Sequence, residues 1–487
     1  MVQVDRTINF LELSKYDSLD PIHADNWNNM HIQRMLYLTP IEQTKDNKFT
    51  STILNQFSYD KNTKTIHFEI KKGLLFSDGT TITTKDVLIG ILRMARARPH
   101  FPVINNIVGL SHWLNDKKGH LNHLPSGIQF NFDSISIKLD KDTENPLFRF
   151  TFEIFSIIPS KCINPETNEI ICEEIPVSGY YMIKKRDHQE LQLKKRLSPL
   201  WNSGKNELPD EIKIRYIKYK DLENHFPEAD VILGLTHNAP PGFFSQNKER
   251  QDFFFKFFPA SNFVALLINS ATPLFKNRSC RQEFANTFRN NFLQLSEEKA
   301  DVQSSLFSEI LPGHISSLNF SRGPNHLCKF KGETLKGFYY DDDLWPTYNL
   351  AIQKTANELD INFIPFDDSW EEIEKAFNSG EIAFAAFRSG FCSLDPVTDL
   401  QMLFTPNMHP ILNDLTHDVT LREKLAHIDK TPNVDIDLKL KDFNSYLHSE
   451  AKFNVFLYTR YFYGSKQSNV LAPLSQSLAQ PYLWQIF

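Results

Sequence analysis

The stretch from Arg388 to Pro396 concentrates side chains that could do chemistry: a guanidinium, a hydroxyl, a thiol and a carboxylate lie close together in sequence. Arg388 could pair with a carboxylate or phosphate of a ligand, because a guanidinium donates two parallel hydrogen bonds to such groups. It could equally lie on the surface or bridge to Asp395 or Asp399. Cys392 is more typical of a small buried residue than of a reactive thiol. The stretch therefore indicates recognition rather than catalysis.

Metal and catalytic motifs are weak elsewhere in the chain. His120 and His123 have H-x-x-H spacing, but the sequence offers no two further ligands to complete a metal site, so we expect solvated histidines. The acidic run Asp341, Asp342 and Asp343 is interpreted as a solvated loop rather than a cation site. The chain contains no G-x-S-x-G, no H-E-x-x-H and no glycine-rich phosphate loop. We expect neither an enzyme nor a bound metal or cofactor.

Length and charge limit the class of protein. At 487 residues the chain is too long for one ordinary core, which predicts two or three lobes. A net charge of -6 gives no support to a nucleic-acid surface. There is no apolar run of spanning length, and Asp5 and Arg6 lie where a secretion signal would be apolar. Either the protein is cytosolic or a signal has been removed.

The five cysteines are too few for a disulfide scaffold and include no C-x-x-C pair. Cys162 and Cys172 flank the turn-rich residues 164–168. They could form a hairpin disulfide in an oxidising compartment, or remain two buried free thiols.

The elements that position these residues follow from periodicity. Apolar residues alternate with polar ones over 65–70, which predicts a strand with one buried face. Residues 77–79, Ser-Asp-Gly, predict a tight turn. Thr83 or Thr84 is then placed to cap a helix that must end by Pro99.

The pattern changes along the chain. Up to about residue 262 the chain is rich in strands, and from Phe263 strands alternate with helices, which is typical of a βαβ lobe. The landmarks that stand out, in chain order, are Leu19-Asp20-Pro21, the motif from Lys71 to Val87, Pro176 to Tyr181, Trp201, Asn269 with Pro273-Leu274-Phe275, Arg281 and Gln353.

In this order the landmarks resemble the family of bacterial extracellular solute-binding proteins that serve dipeptide, oligopeptide and nickel import. The Lys71 to Val87 motif matches the family's K-x-G-x-x-F-S-D-G turn and its T-x-x-D-V helix start. The resemblance spans almost the whole chain. It implies an α/β, two-lobed periplasmic-binding-protein (Venus flytrap) fold of class II, or cluster C, with an extra subdomain in the first lobe.

The resemblance also implies domain boundaries. Lobe I would comprise residues 1–39, 173–262 and 461–487, with 40–172 as its extra subdomain, and lobe II would comprise 263–460. A ligand enclosed between such lobes stabilises only the closed form, which can signal occupancy to a membrane partner.

The resemblance implies ligand-binding residues in both lobes: Asn28, Asn29, Met30, His100 and Phe101 in the first lobe, and Arg388, Ser389, Cys392, Asp395, Tyr458 and Arg460 in the second. The Asn-rich segment could instead be a simple turn. The residues at 100 and 101 could pack beneath a loop, and the aromatic strand at Tyr458 could be core.

One departure from the family pattern bears on the ligand. Peptide-binding members hold the ligand's ammonium with an Asp in a G-W-x-x-D-x-x-D-P pattern. When this chain is aligned on Asp395-Pro396, Ser389 occupies the Trp position and Cys392 occupies the Asp position. Loss of that carboxylate removes a charge-assisted hydrogen bond of roughly 1.5–3 kcal/mol. The ligand could lack a free ammonium, be held differently, or carry an anionic group near Arg388.

The function implied by the resemblance is that of a secreted substrate-binding protein of an ABC importer, which captures peptides or a peptide-like ligand. We expect a periplasmic or extracytoplasmic monomer, with its signal or lipoprotein signal removed, that delivers ligand to a membrane permease. A binding protein for a nickel chelate or another non-peptide ligand is the alternative within the family. A cytosolic ligand-sensing domain is the alternative outside it.

Overall fold

A computed structural model of the chain describes most of its residues. They are residues 6–13, 18–23, 27–43, 48–143, 145–187, 189–196, 208–218, 221–235, 243–247, 254–257, 262–296, 304–309, 311–316, 328–339, 346–391, 396–405, 409–429 and 435–465.

The described ranges contain both strands and helices. The strands are β1 (Thr7–Glu12), β2 (Glu42–Gln43), β3 (Phe49–Thr50), β4 (Leu54–Asp60), β5 (Thr65–Ile70), β6 (Ile128–Phe130), β7 (Ser134–Lys138), β8 (Tyr181–Arg186), β9 (Glu190–Lys195), β10 (Glu211–Tyr216), β11 (Val231–Leu235), β12 (Phe254–Phe257), β13 (Asn262–Ile268), β14 (Thr334–Phe338), β15 (Asn362–Phe366), β16 (Phe384–Gly390), β17 (Phe453–Thr459) and β18 (Tyr461–Ser465). The helices are α1 (Trp27–Leu36), α2 (Thr84–Ala97), α3 (Leu110–Asp116), α4 (Leu222–His225), α5 (Phe243–Asn247), α6 (Arg278–Leu295), α7 (Pro346–Glu358), α8 (Trp370–Asn378), α9 (Pro396–Phe404), α10 (Asn413–Thr416), α11 (Val419–Asp429) and α12 (Ile436–Glu450). The predicted α/β class is confirmed.

The chain divides into two compact units. The first contains residues 1–234, 250–256 and 463–487, and the second contains 235–249 and 257–462. The finer division of the first lobe into a core and an extra subdomain stays a prediction.

The first unit contains two larger sheets. A seven-stranded sheet has the order β12-β18-β11-β1-β10-β9-β8, and a four-stranded sheet has the order β4-β5-β7-β6. The central strand β1 runs parallel to both β10 and β11. The strand predicted over 65–70 is β5, whose Ile66, Phe68 and Ile70 are buried as the alternation requires.

The predicted turn and helix cap also form. The Asp86 carboxylate accepts hydrogen bonds from the backbone nitrogen (2.8 Å) and hydroxyl (2.6 Å) of Thr83, which fixes the start of α2. Its other oxygen accepts from the Ser160 backbone nitrogen at 2.7 Å. Asp78 caps the turn: although partial burial opposes it, hydrogen bonds from Lys161 and Thr80 lower the pKa of Asp78 to about 2. The whole motif is structural.

The Leu19-Asp20-Pro21 landmark has a structural role as well. Asp20 receives both arms of the Arg93 guanidinium, at 3.1 and 2.9 Å, and Arg93 on α2 is only 2% exposed. The same arginine donates to the backbone oxygen of Asn168 at 3.0 Å. Asn168 lies between Cys162 and Cys172, which form a disulfide. Of the two states that the sequence left open for these cysteines, the structure has the disulfide.

The second unit is built on one mixed five-stranded sheet with the order β15-β14-β16-β13-β17. Two landmarks hold its connections together. Asn269 donates to the backbone oxygens of Phe377 (2.6 Å) and Ile382 (3.0 Å), and Arg281 donates to the backbone oxygens of Phe275 (2.8 Å) and Glu450 (2.9 Å).

A second disulfide, between Cys280 and Cys328, ties the start of α6 to the segment that leads into β14. No sequence pattern predicted this disulfide. Of the landmarks named from the sequence, Trp201 lies outside the described residues, as do the acidic run 341–343, Cys392 and Asp395.

Candidate ligand-binding site

The candidate site in the second unit is one end of its sheet, where three strands place their terminal residues side by side. On β16, Arg388, Ser389 and Gly390 pair with Val264, Phe263 and Asn262 of β13. On the other side of β13, the same three residues pair with Leu457, Tyr458 and Thr459 of β17. Two stretches selected separately from the sequence, at 388–389 and 458–460, are thus two strand spacings apart, or about 10 Å.

The exposure of β16 changes sharply at this end. Residues 384–387 are buried, whereas Arg388 is exposed and Ser389 is half-buried. Arg460, the residue after β17, is half-buried. The strand therefore leaves the core at Arg388, and its last three residues reach the surface.

Gly390 is required by a close approach between strands. A Cβ atom at this position would lie 2.2 Å from the side-chain oxygen of Asn262 on β13. The Asn262 amide therefore occupies the space that any larger residue at 390 would need. The Asn262 side chain thus packs directly against the backbone at the end of β16.

Tyr458 supports the site from inside the unit. It is 1% exposed, and its hydroxyl donates to the backbone oxygen of Ser305 at 2.8 Å. Burial raises the pKa of Tyr458 well above its ordinary value, so the phenol stays neutral. The enclosed ring favours the core role that the sequence had left open. Phe391, directly after β16, is also enclosed, with its ring 6.0 Å from that of Phe263.

The described parts of the three strand ends contain two charged residues, both arginines. Within the described parts of 262–264, 384–391 and 453–460, the charged residues are Arg388 and Arg460, and no Asp or Glu occurs. An arginine favours carboxylate or phosphate groups, to which it donates paired hydrogen bonds.

The ligand-binding residues predicted for the first unit differ in position and exposure. Asn28, Asn29 and Met30 lie in the first turn of α1, and Met30 is buried. His100 is exposed in the turn after α2. Phe101 is 1% exposed, and its ring centroid lies 6.0 Å from that of Phe152 and 5.8 Å from that of Phe155. This placement favours the packing alternative for Phe101, while its role toward a ligand stays a prediction.

The described residues contain no arrangement of side chains suited to bind a metal ion. The rings of His120 and His123 lie 5.4 Å apart, but no group of three or more His, Cys, Asp or Glu in the described ranges could hold a metal ion. The loop that carries these histidines is fixed by Trp113, whose indole nitrogen donates to the backbone oxygens of both, at 3.3 and 3.0 Å.

Comparisons with known proteins agree with this architecture. A sequence model described as "Bacterial extracellular solute-binding proteins, family 5 Middle" matches residues 48–288. No curated protein matches the sequence.

Solved structures match the chain over nearly its full length. The Helicobacter pylori periplasmic binding protein DppA, in complex with the peptide STSA, is 14% identical, with 99% of this chain and 98% of that chain covered and a TM-score of 0.77. Haemophilus influenzae OppA in complex with RPPGFSPFR is 12% identical, with coverage of 100% and 99% and a TM-score of 0.76. Brucella suis NikA in complex with Fe(III)-EDTA is 13% identical, with coverage of 99% for both chains and a TM-score of 0.76. These matches confirm the predicted periplasmic-binding-protein fold.

Proposed function

Because the chain belongs to family 5 of the bacterial extracellular solute-binding proteins, we propose that it is the substrate-binding protein of an ABC importer. It captures peptides or a peptide-like ligand by hinge closure and delivers them to a membrane permease. The observation that carries this proposal is the match of nearly the whole chain to solved proteins that hold peptides, among them STSA and RPPGFSPFR.

The sheet end in the second unit supports peptide binding in two ways. An extended peptide can hydrogen-bond to the backbone at the end of a strand, which makes recognition tolerant of peptide side chains. The half-buried Ser389 and Gly390, at the end of the strand, are suited to such contacts. Arg388, exposed beside them, can pair with a carboxylate, including the one at the end of a peptide.

The chemistry of the site also favours a second class of ligand. The family's ammonium-binding Asp is replaced here by Cys392, and the described charges at the sheet end are those of Arg388 and Arg460. This balance favours an anionic or non-peptide ligand over one that depends on a free ammonium. Structurally similar proteins have been solved with agropinic acid and with Ni(L-His)2.

The two disulfides support a location outside the cytoplasm. The bonds Cys162–Cys172 and Cys280–Cys328 are disulfides, which form and persist in oxidising compartments. This favours the extracytoplasmic binding protein over the cytosolic sensor. None of the helices in the described residues is long and apolar enough to cross a membrane.

Native mass spectrometry of the purified protein, before and after denaturation, tests the proposal. A co-purified set of short peptides is the expected result. A thermal-shift screen of di- to pentapeptides should raise the melting temperature, because a ligand present at 100 times its Kd and bound only to the native state adds about 2.7 kcal/mol. No shift at millimolar concentration of any peptide would exclude a generic peptide-binding role.

The variant Arg388→Ala tests the site itself. We expect weaker binding of ligands that carry a carboxylate and little change for esters of the same ligands. Arg422→Ala, an exposed arginine on α11 away from this sheet end, is the matched control. Equal ligand affinity in both variants would remove Arg388 from the site.

A further inference from the structure

A loop from α6 toward β14 packs against the candidate site. Its described residues are 304–309 and 311–316, named here the 304–316 loop. Ser304, Ser305, Leu306, Phe307 and Ser308 are all buried. A loop with so much buried backbone needs polar partners for its amide groups, because an unpaired buried amide is costly.

One side chain supplies two of these backbone partners and a third bond to a loop hydroxyl. Asn444, on α12, is 1% exposed. Its side-chain oxygen accepts from the backbone nitrogen of Leu306 at 3.0 Å, and its amide nitrogen donates to the Ser305 hydroxyl at 2.8 Å and to the Gly313 backbone oxygen at 3.1 Å. Asn444 thereby joins residues near both ends of the loop.

The opposite side of the loop contacts the candidate site. The backbone oxygen of Ser305 accepts the Tyr458 hydroxyl at 2.8 Å, and the Phe307 ring lies 5.4 Å from that of Phe391. Tyr458 belongs to the same register row as Ser389, and Phe391 follows Gly390 directly. The loop therefore contacts both strands that flank β13 at the sheet end.

The backbone of the loop leaves little freedom for a second arrangement. Gly313 has φ +86°, and a Cβ atom there would lie 2.5 Å from the Cβ of Leu440 on α12. Its backbone nitrogen donates to Asp437 on the same helix at 2.8 Å. The loop fits α12 in one register, fixed by Asn444 and Gly313.

We infer that Asn444 is a positioning residue for the ligand site. Its amide holds the 304–316 loop against Tyr458 and Phe391, and the loop in turn fixes the strand ends that carry Arg388 and Ser389. Asn444 thereby affects ligand affinity through the loop, without contacting the ligand itself. That Asn444 fixes the strand ends is argued from contacts within the second unit. That this affects ligand affinity rests on the proposed function.

The test compares Asn444→Ala with Asn291→Ala. Asn291 is also an asparagine with 1% exposure in this unit, but its amide donates to Thr355 at 3.2 Å and to Glu358 at 3.3 Å, away from the loop. Both variants should lose thermal stability. Only Asn444→Ala should speed amide hydrogen exchange at residues 304–316, 387–391 and 453–459. It should also weaken peptide binding on the order of tenfold, measured with Ser-Thr-Ser-Ala and a library of di- to pentapeptides at a temperature where both variants are folded.

The outcomes separate the two proposals. If the wild type binds no peptide, the proposed peptide function fails, and hydrogen exchange still decides whether Asn444 positions the sheet end. If exchange at 387–391 is unchanged in Asn444→Ala, or if both variants lose affinity equally, the inference is overturned. If Asn444→Ala does not fold, Ser305→Ala is the second variant: the Ser305 hydroxyl accepts from the Asn444 amide and also bonds to Phe307 and Ile315, so its loss should loosen the same loop and speed exchange at 387–391.

Discussion

Breaking the Asp20–Arg93 pair should destabilise the first unit severely. In Asp20→Ala, the Arg93 guanidinium would remain 2% exposed but lose the two hydrogen bonds, of 3.1 and 2.9 Å, that compensate its charge. A buried charge left without its partner costs about 3–5 kcal/mol. The Asp20 carboxylate also accepts from the backbone nitrogen of Ile22 at 3.1 Å, so the turn after it loses a further constraint.

Urea unfolding with a probe in the first unit measures this loss. The double variant Asp20→Ala/Arg93→Met is the informative control, because it removes the uncompensated charge together with its partner. We expect the double variant to be more stable than Asp20→Ala alone, since replacing both partners of a buried pair is often close to neutral.

Two results would refute the reasoning. A loss of less than about 1 kcal/mol in Asp20→Ala would mean that Arg93 is compensated by solvent or by its bond to the Asn168 backbone alone. Simple additivity of the two substitutions would mean that the pair is not coupled.

Three further predictions concern the second unit. Burial, and secondarily the charge of Arg289, lowers the pKa of His448 to about 4 from its ordinary value of 6.5. Because the unfolded chain then binds more protons, the free energy of unfolding should fall by about 2 kcal/mol between pH 8 and pH 5. His448→Gln should remove this pH dependence in unfolding titrations. Replacing Cys280 and Cys328 by serine should cost about 4 kcal/mol, because the bond spans 48 residues of chain, and an equal melting temperature for the variant and the oxidised wild type would contradict this. Gly390→Ala should cost about 1–3 kcal/mol by overpacking against the facing strand and should weaken ligand binding, measured by calorimetry.

Local features of the fold were predictable from sequence because their causes are local. The alternation over 65–70 and the threonine before α2 act within a few residues, and both predictions are confirmed. The second disulfide was not predicted, because its cysteines are 48 residues apart and no turn sequence connects them.

The candidate site was predicted only as separate pieces. The sequence selected 388–389 and 458–460, but their adjacency depends on β13, which pairs with β16 on one side and β17 on the other. Such register is set by long-range pairing, which no local pattern specifies. Asn444 was missed for the same reason, since an asparagine in the middle of a helix gives no sign that a loop about 130 residues earlier needs its amide.

Three of the landmarks that carry the family resemblance share one physical role. Asp86, Asn269 and Arg281 each hydrogen-bond to the backbone of a distant segment. A bond to a backbone group does not depend on the identity of neighbouring side chains, so it can be kept while the surrounding core is replaced. Bonds of this kind are compatible with a shared fold at 12–14% identity.

The same reasoning separates fold from ligand. Arg388 and Ser389 lie at a surface end of β16, exposed and half-buried respectively, so under the proposed function we expect the ligand to constrain those positions. Substitutions at the landmarks should therefore lower the melting temperature without changing which ligand is preferred. Substitutions at Arg388 and Ser389 should change ligand preference with little effect on stability. The identity of the ligand must accordingly be sought in the few exposed residues of this sheet end rather than in the motifs that identify the family.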